Sequence, residues 1–225
     1  MNAHHSFPDP PLRSSMPHGS ARRFMDIAIA IGIFVAFSPL ILMTCLAVLA
    51  EDGRPIFFRQ PRLGVAGRPF LMNKFRKFYE TIDGPPLTMT NDSRFTKVGR
   101  LLAATKLDEL PQLWNVMKGD MAIVGPRPES LEFLECFTCG YEEVLQFRPG
   151  LFGPSQVLFR DEAAHFPPGE DPTVFYRAVI FPLKAGLDIA YFRNRTLGTD
   201  MTWIIRSATA ILGWKKWGSA LDAPA

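Results

Sequence analysis

The sequence predicts a helix-dominated α/β domain with short strands, joined at its N-terminal side to a membrane-associated helix. Residues 24–50 form a long apolar stretch whose one charged residue is Asp26. Short apolar runs beside glycine and proline indicate short strands, and the C-terminal third has apolar residues at helical spacing. A chain of 225 residues is long enough for one domain of ordinary size. We expect a disordered tail over 1–20, a membrane helix over 21–52 and a folded domain over 53–225.

Composition narrows the classes of partner. The net charge is only +3, but arginine and lysine crowd the two flanks of the apolar stretch. This distribution favours an anionic membrane surface or phosphorylated substrates. Because no nucleic-acid-binding motif accompanies it, we expect no nucleic-acid partner. Three cysteines do not make a disulfide framework in a chain of this length.

The tail, residues 1–20, is rich in proline, serine and histidine and lacks periodic apolar residues, which predicts disorder. The apolar stretch that follows would be ~36 Å long as a straight helix, enough to cross a hydrocarbon core of ~30 Å. Ser38 and Pro39 interrupt it, and proline inside a helix forces a bend. Basic residues flank both ends, which is expected when both ends are cytoplasmic. Sequence physics leaves a re-entrant helix and a kinked single span both open.

Two short strands are predicted next, over Ile56–Arg59 and Pro69–Phe75, with a turn at Gly64–Gly67. Lys74 and Arg76 would share one strand face, because alternate residues point the same way. That face could meet a diphosphate or lie near anionic lipid. Residues 79–89 contain Gly-Pro-Pro and should form a surface loop.

The most informative stretch begins at the acidic pair Asp108-Glu109. Pro111 is tolerated in the first turn of a helix, so a helix over Leu110–Met117 should begin beside the pair, and Gly119 should end it. A helix N-terminus attracts phosphate, and a divalent cation would let carboxylates and phosphate share the site. An acidic pair at this position is also common as a plain helix cap.

Beyond that helix, Met121–Val124 reads as a buried strand, and Gly125–Pro128 as a rigid turn that presents Arg127 for bidentate phosphate recognition. Arg100 lies eight residues before Asp108, about two helical turns, and would face the same site if one helix ran through both.

The C-terminal half reads mainly as helices and loops. Glu129–Gly140 has an amphipathic pattern, and Arg148 in the turn Phe147–Gln156 is a candidate nucleotide or phosphate contact, or a structural residue. A polar loop at 161–172 precedes three helical segments, at 174–180, 184–193 and 200–214. Their tryptophans and basic residues suit either core packing or helices lying in the lipid headgroup zone. These residues are Trp203, Trp214, Trp217, Arg206, Lys215 and Lys216.

The strings Leu107-Asp-Glu-Leu-Pro-Gln-Leu113 and Gly119-Asp-Met with Val124-Gly-Pro-Arg-Pro128 resemble the signature of the bacterial sugar transferases, the monotopic polyprenyl-phosphate phosphoglycosyl transferases. The similarity covers roughly residues 22–153 and includes the stretches around Phe58-Arg-Gln60, Lys74-Phe-Arg76 and Asp92–Arg100. The chain departs from the pattern at several positions. Ala103 and Ala104 replace basic residues, Lys106 replaces a serine, and Phe152 replaces a threonine.

This resemblance implies an enzyme that transfers a phospho-sugar from a UDP-sugar to polyprenyl (undecaprenyl) phosphate and releases UMP. Asp108 would be the nucleophile, Glu109 would help hold Mg²⁺, and Arg127 would stabilise the transferring phosphoryl group. The resemblance also favours a re-entrant helix broken at Ser38-Pro39, with the domain on the cytoplasmic face of the inner membrane.

Other classes find less support in the sequence. Adjacent carboxylates cannot flank a glycosidic bond as a hydrolase requires, and no Walker A, GxSxG or HExxH motif is present. A catalytically silent membrane scaffold of a polysaccharide assembly complex is the rival hypothesis. The sequence identifies neither the sugar nor the oligomeric state, and it leaves a homodimer open.

Overall fold

The protein is described here by a computed structural model that covers residues 19–79, 92–160 and 162–211. The predicted disordered tail lies outside these residues except for its end, and so does most of the predicted 79–89 loop. Eight helices and four strands follow one another along the described chain. They are α1 Ser20–Ala36, α2 Ser38–Asp52, β1 Phe57–Leu63, β2 Pro69–Phe75, α3 Lys97–Thr105, α4 Gln112–Lys118, β3 Ala122–Val124, β4 Gly150–Phe152, α5 Pro154–Leu158, α6 Pro172–Phe175, α7 Phe181–Arg193 and α8 Leu197–Ile211. The predicted helix-dominated α/β class with short strands is confirmed.

The long apolar stretch forms two helices that meet at the predicted break. Helices α1 and α2 are bent by 63° where Pro39 stands in the first turn of α2. The hydroxyl of Ser38 donates a hydrogen bond to the carbonyl of Val35 at 2.8 Å, which satisfies an acceptor near the end of α1. Within the described residues no single helix has the length and apolarity to cross a membrane, whereas α1 and α2 together meet both requirements.

Helix α1 is tied to the rest of the protein along its first half. The carboxylate of Asp26 accepts a hydrogen bond from the backbone N–H of Ile123 in β3 at 3.0 Å. The Arg23 guanidinium donates to the carbonyls of Val116 and Met117 at the end of α4, at 2.7 and 2.8 Å. The apolar side chains of α1 and α2 that face away from the domain are exposed, and Phe24, Val35, Leu42 and Met43 are the most exposed of them.

Strands β1 and β2 form the predicted hairpin, paired antiparallel from Phe57–Phe75 to Leu63–Pro69. β1 continues four residues further than predicted because Pro61 does not prevent pairing in a two-stranded sheet, where one edge of each strand is free. A single helical turn at Val65–Gly67 joins the strands. The hairpin carries Lys74 close to the end of β2.

The segment around the acidic pair folds nearly as predicted. A 3₁₀ turn at Leu107–Glu109 precedes α4, and Gly119 ends α4 with a left-handed φ of 104°. β3 follows and is buried throughout, as predicted. It pairs in parallel with β4, a strand that the sequence analysis read as a turn. Gly125 and Gly150 permit this pairing, because a Cβ on either would lie within about 2.2 Å of the facing backbone.

The predicted amphipathic helix over Glu129–Gly140 is wrong. Only a 3₁₀ helix, Leu131–Cys136, forms there. Glu129 and Ser130 are held in extended form against β1, where the Leu63 N–H donates to the Glu129 carbonyl, and Cys139 and Gly140 have left-handed backbones that no helix accommodates. The three C-terminal helical segments are confirmed as α6 with its continuing turn at 176–180, α7 and α8. Trp214 and Trp217 lie outside the described residues.

Candidate active site

The acidic pair lies in the 3₁₀ turn between α3 and α4, packed against β2. Lys106, just before it, has a left-handed backbone that ends α3 and reverses the chain, so both carboxylates face the hairpin. Asp108 is only 2% exposed, and its Oδ1 has no hydrogen-bond partner among the described residues. Glu109 is partly exposed.

Side-chain cations, rather than helix amides, are the described partners of the two carboxylates. The Lys74 Nζ lies 3.2 Å from Glu109 Oε1, and the nearest Arg127 nitrogen lies 3.9 Å from the same oxygen. The Lys77 Nζ lies 3.6 Å from Asp108 Oδ2.

The electrostatics of the pair follow from these neighbours. Burial alone would raise the pKa of Glu109, but Lys74, Arg127 and Lys106 outweigh it and hold that pKa well below its ordinary value. Burial lowers the pKa of Lys77, and the Asp108 carboxylate offsets part of that effect. Burial also lowers the pKa of Lys106, against the opposing charge of Glu109. Four cations therefore surround two carboxylates, which leaves positive charge for a further anion.

A surface depression opens beside Glu109. The predicted residues Lys74 and Arg127 line it together with Arg62 and Gln112, which the sequence analysis did not select. Arg62 is held in place by Gln60, whose Oε1 accepts from Nη2 at 2.7 Å. Asp108 is not among the residues that line the depression, in keeping with its burial.

Three other predicted site residues lie elsewhere. Arg76 follows the end of β2 and donates from its guanidinium to the carbonyls of Asp52 and Gly53 at the end of α2, so the predicted shared face with Lys74 is not formed. Arg148 lines a second depression, near the start of α1, beside Arg23 and Arg195. Arg100 is exposed on α3.

Lys77 takes the place that the sequence analysis gave to Arg76. Its ammonium lies 5.3 Å from the ring centre of Phe78 and 5.6 Å from that of Phe95, and it reaches Asp108 from there. The strand was correctly predicted to end at Phe75, so alternation did not extend to Arg76, and Lys77 could have been considered in its place. Arg62 lay outside the predicted first strand, which ended at Arg59, and only the observed pairing places it opposite Phe70.

The acidic pair Asp108-Glu109 suits a divalent cation that binds together with the enzyme's substrate. The unpaired Asp108 Oδ1 and the partly exposed Glu109 supply hard oxygen ligands. Among the described residues no group of three or more His, Cys, Asp or Glu side chains could hold a metal ion alone. Mg²⁺ commonly uses one or two carboxylates and completes its shell with substrate phosphates and water, and the donors present fit that arrangement.

A carboxylate pair among cations, next to an arginine-lined depression, suits an enzyme that handles phosphate groups. The family model of the bacterial sugar transferases matches residues 18–214. The chain belongs to the bacterial sugar transferase family, and it is an enzyme, a phosphoglycosyl transferase.

Curated relatives agree with this assignment. The chain is 34% identical over 196 residues to the UDP-glucose:undecaprenyl-phosphate glucose-1-phosphate transferase of Caulobacter vibrioides, covering 85% of this chain and 69% of that protein. It is 38% identical over 191 residues to the uncharacterized sugar transferase EpsL of Bacillus subtilis, covering 85% and 87%. It is 31% identical over 210 residues to the exopolysaccharide production protein ExoY of Sinorhizobium fredii, covering 86% of each.

Proposed function

We propose that this enzyme transfers a phospho-sugar from a UDP-sugar to polyprenyl (undecaprenyl) phosphate, giving polyprenyl-diphosphate-sugar and UMP. The observation that carries the proposal is the Asp108-Glu109 pair surrounded by Lys74, Lys77, Lys106 and Arg127. Two negative charges among four positive ones attract a diphosphate and keep an acidic nucleophile beside it. The names of the relatives from Caulobacter and Sinorhizobium support this reaction and a role in exopolysaccharide synthesis.

In the proposed first step, an Asp108 carboxylate oxygen attacks the phosphorus that bears the sugar. A bond forms between that oxygen and phosphorus, the bond to the bridging oxygen breaks, and UMP leaves with the bonding electron pair. Arg127 and Lys74 lie where charge on the transferring phosphoryl oxygens would be stabilised. In the second step an oxygen of polyprenyl phosphate attacks the same phosphorus, and the Asp108 carboxylate is released.

Asp108 Oδ1 and Glu109 would hold Mg²⁺ together with the donor diphosphate. When bound, the ion would neutralise phosphate charge and so assist departure of UMP. Lys106 would supply part of the positive charge that the family pattern places at positions 103 and 104, where this chain has alanines.

The bent pair α1–α2 would enter one leaflet and return, which would place the domain on the cytoplasmic face of the inner membrane. Support comes from the exposed apolar side chains of both helices and from arginines that flank the pair. Helix α8 would lie in the headgroup zone, since Leu197, Met201 and Ile205 are exposed at four-residue spacing along one face. The acceptor phosphate would then meet the site at headgroup level.

UMP release tests the reaction. Purified protein in vesicles containing undecaprenyl phosphate and Mg²⁺ is given a panel of UDP-sugars, with Asp108→Asn in parallel. We expect release with at least one donor, dependent on acceptor and lost in Asp108→Asn. If the wild type releases no UMP with any donor of a broad panel, the rival hypothesis of a scaffold subunit is favoured.

A further inference from the structure

A buried cluster of charges lies behind the turn that carries Arg127. Its centre is Lys184 in α7, whose side chain is 5% exposed. The Lys184 Nζ lies 2.8 Å from Glu129 Oε1, 3.1 Å from Glu162 Oε2 and 2.8 Å from the hydroxyl oxygen of Tyr176. An ammonium has three donors, so these partners use its whole hydrogen-bonding capacity.

The cluster is joined to the active site through the turn Gly125–Pro128. Glu129 follows that turn directly, and its backbone carbonyl accepts from the Leu63 N–H of β1 at 2.9 Å. The Arg62 guanidinium lies 3.5 Å from the Pro128 carbonyl oxygen. The backbone that carries Arg127 is therefore fixed to the hairpin, whereas the Arg127 side chain is partly exposed and lies 3.9 Å from Glu109.

Three carboxylates act electrostatically on Arg127. Burial lowers the pKa of Arg127, but Glu109, Glu162 and Glu129 together raise it by more. Glu109 belongs to the catalytic pair, whereas Glu129 and Glu162 belong to the cluster around Lys184. Burial would raise the pKa of Glu129 as well, and the Lys184 ammonium reverses that effect.

Without a cation between them, the buried Glu129 and the partly exposed Glu162 would be two negative charges close together. A buried carboxylate in that state is strongly destabilised until it gains a proton or a cation. Arg127 stands two residues before Glu129, its side chain is partly exposed, and its contact with Glu109 is a loose one at 3.9 Å, so an uncompensated Glu129 would draw it from Glu109 toward the cluster. A donor diphosphate would then compete with two glutamates for the same guanidinium.

We propose that Lys184 is a positioning residue: its ammonium occupies Glu129 and Glu162 and thereby leaves Arg127 available to Glu109 and to the phosphates of the donor. The identity of the ligand in this proposal rests on the proposed function. The competition of Glu109 with Glu129 and Glu162 for Arg127 does not require a ligand. The proposal assigns a role in catalysis to a residue of α7 that does not contact substrate.

Phenylglyoxal labelling measures the availability of Arg127 directly, since the reagent modifies guanidinium groups more slowly when a carboxylate pairs with them. The extent of Arg127 modification is followed by peptide mass spectrometry in the wild type, Lys184→Met, and Lys184→Met with Glu129→Gln. The exposed Arg193 in the same digest is the internal reference. Lys118→Met, which removes an exposed lysine paired with Asp120, is the matched control.

We expect Lys184→Met to slow Arg127 labelling at least about twofold, because the interaction free energy between neighbouring charged residues commonly changes a rate by this factor or more. Adding Glu129→Gln should restore the labelling rate. The rate of UMP release should fall in Lys184→Met and recover in the double variant with Glu129→Gln. The fall in kcat/KM should be larger in Lys184→Met than in the control Lys118→Met. A merely structural lysine gives the opposite result, because a loosened domain exposes Arg127 and accelerates its labelling. Unchanged or faster labelling in a Lys184→Met protein that still melts cooperatively would overturn the proposal.

Two further readouts keep the test decisive. If Lys184→Met does not fold, Glu129→Gln alone should leave the rate of Arg127 labelling unchanged, because Lys184 already occupies Glu129 in the wild type; faster labelling would mean that Glu129 holds Arg127 even when Lys184 is present, and would overturn the proposal. If the wild type releases no UMP with any donor, the proposed function fails while the labelling comparison still decides the role of Lys184.

Discussion

At the scale of single residues, the balance of charge around Asp108 and Glu109 explains how an acidic nucleophile can meet an anionic substrate. Two carboxylates and four cations leave an excess of positive charge before the substrate binds. The same excess opposes binding of a free divalent cation. Mg²⁺ should therefore enter the site with the diphosphate, whose charge reverses the balance.

Lys77 offers a direct residue-scale prediction. Its Nζ is the described cation nearest to Asp108, at 3.6 Å, and Phe78 and Phe95 hold it there. Lys77→Met should lower kcat for UMP release roughly ten- to hundredfold, because the charge that supports Asp108 during phosphoryl transfer is lost. Steady-state kinetics on UMP release measures this, with Lys118→Met as the control for loss of a lysine. A kcat equal to that of the control would remove Lys77 from the mechanism.

The sequence was sufficient for some site residues and insufficient for others. Asp108, Glu109 and Arg127 follow from the motif and from the turns that they occupy, and Lys74 follows from its place on the second predicted strand. Alternation was extended to Arg76, one residue past the end of that strand, but Arg76 turns toward α2 and Lys77 reaches the site instead. The direction that the chain takes after a strand depends on its tertiary partners, and no local pattern reports it.

At the scale of elements, the break between α1 and α2 determines how the chain can meet a bilayer. The 63° bend and the Ser38 hydroxyl bond to Val35 make the break part of the folded structure. A bent pair that returns to the same face keeps both ends cytoplasmic, and a straight helix would not.

Replacing Ser38 and Pro39 by alanine should therefore change the topology. A cysteine is placed at Ser20, with Cys45, Cys136 and Cys139 replaced, and intact cells are treated with an impermeant thiol reagent. We expect protection with the native break and labelling with Ser38→Ala/Pro39→Ala, because alanine restores a continuous helix. Labelling of the form that keeps Ser38 and Pro39 would mean that the N-terminus lies outside and the re-entrant arrangement is wrong.

Helix α7 carries a buried carboxyl whose protonation should affect stability. Asp188 accepts from the Ser155 hydroxyl at 2.9 Å, and burial raises its pKa to about 7 against the opposing hydrogen bonds from Ser155. The folded protein then holds a proton that the unfolded chain loses near pH 4. Stability contributed by this group is complete below about pH 4 and is lost as the pH rises to about 7.

The thermal midpoints of the wild type and Asp188→Asn, compared from pH 5 to pH 8, test this. The wild type should lose stability relative to Asp188→Asn over that range, by on the order of a few kcal/mol in the free energy of unfolding. Asp171→Asn makes the same change at an exposed position and serves as control. A difference that does not vary with pH would mean that Asp188 is ionised in the folded protein throughout.

Elements with strong local signals were predictable, and those made by distant partners were not. The hairpin, the stop at Gly119, α7 and α8 follow from turn residues and periodicity. The parallel pairing of β3 with β4 joins residues 28 positions apart and depends on close backbone approach at Gly125 and Gly150. The α-helix expected over Glu129–Gly140 does not form, because its first residues, Glu129 and Ser130, contact β1 in extended form.

At the scale of the whole molecule, the broken helix and the domain form one packed unit. Asp26 contacts β3, Arg23 caps the last carbonyls of α4, and Arg22 pairs with Asp200 of α8. The end of α2 is held by Arg76, next to the strand that carries Lys74. A helix inserted into one leaflet would therefore fix the depth of the active site relative to the lipid headgroups.

The central claim is that Asp108 carries the phospho-sugar between donor and acceptor. Its most direct test is mass spectrometry of the protein quenched shortly after mixing with a UDP-sugar and Mg²⁺, without polyprenyl phosphate. We expect an adduct of phospho-sugar mass on the peptide containing Asp108, absent in Asp108→Asn and discharged when polyprenyl phosphate is added. UMP release at an undiminished rate by Asp108→Asn, or turnover by the wild type with no adduct on that peptide at any time, would contradict it.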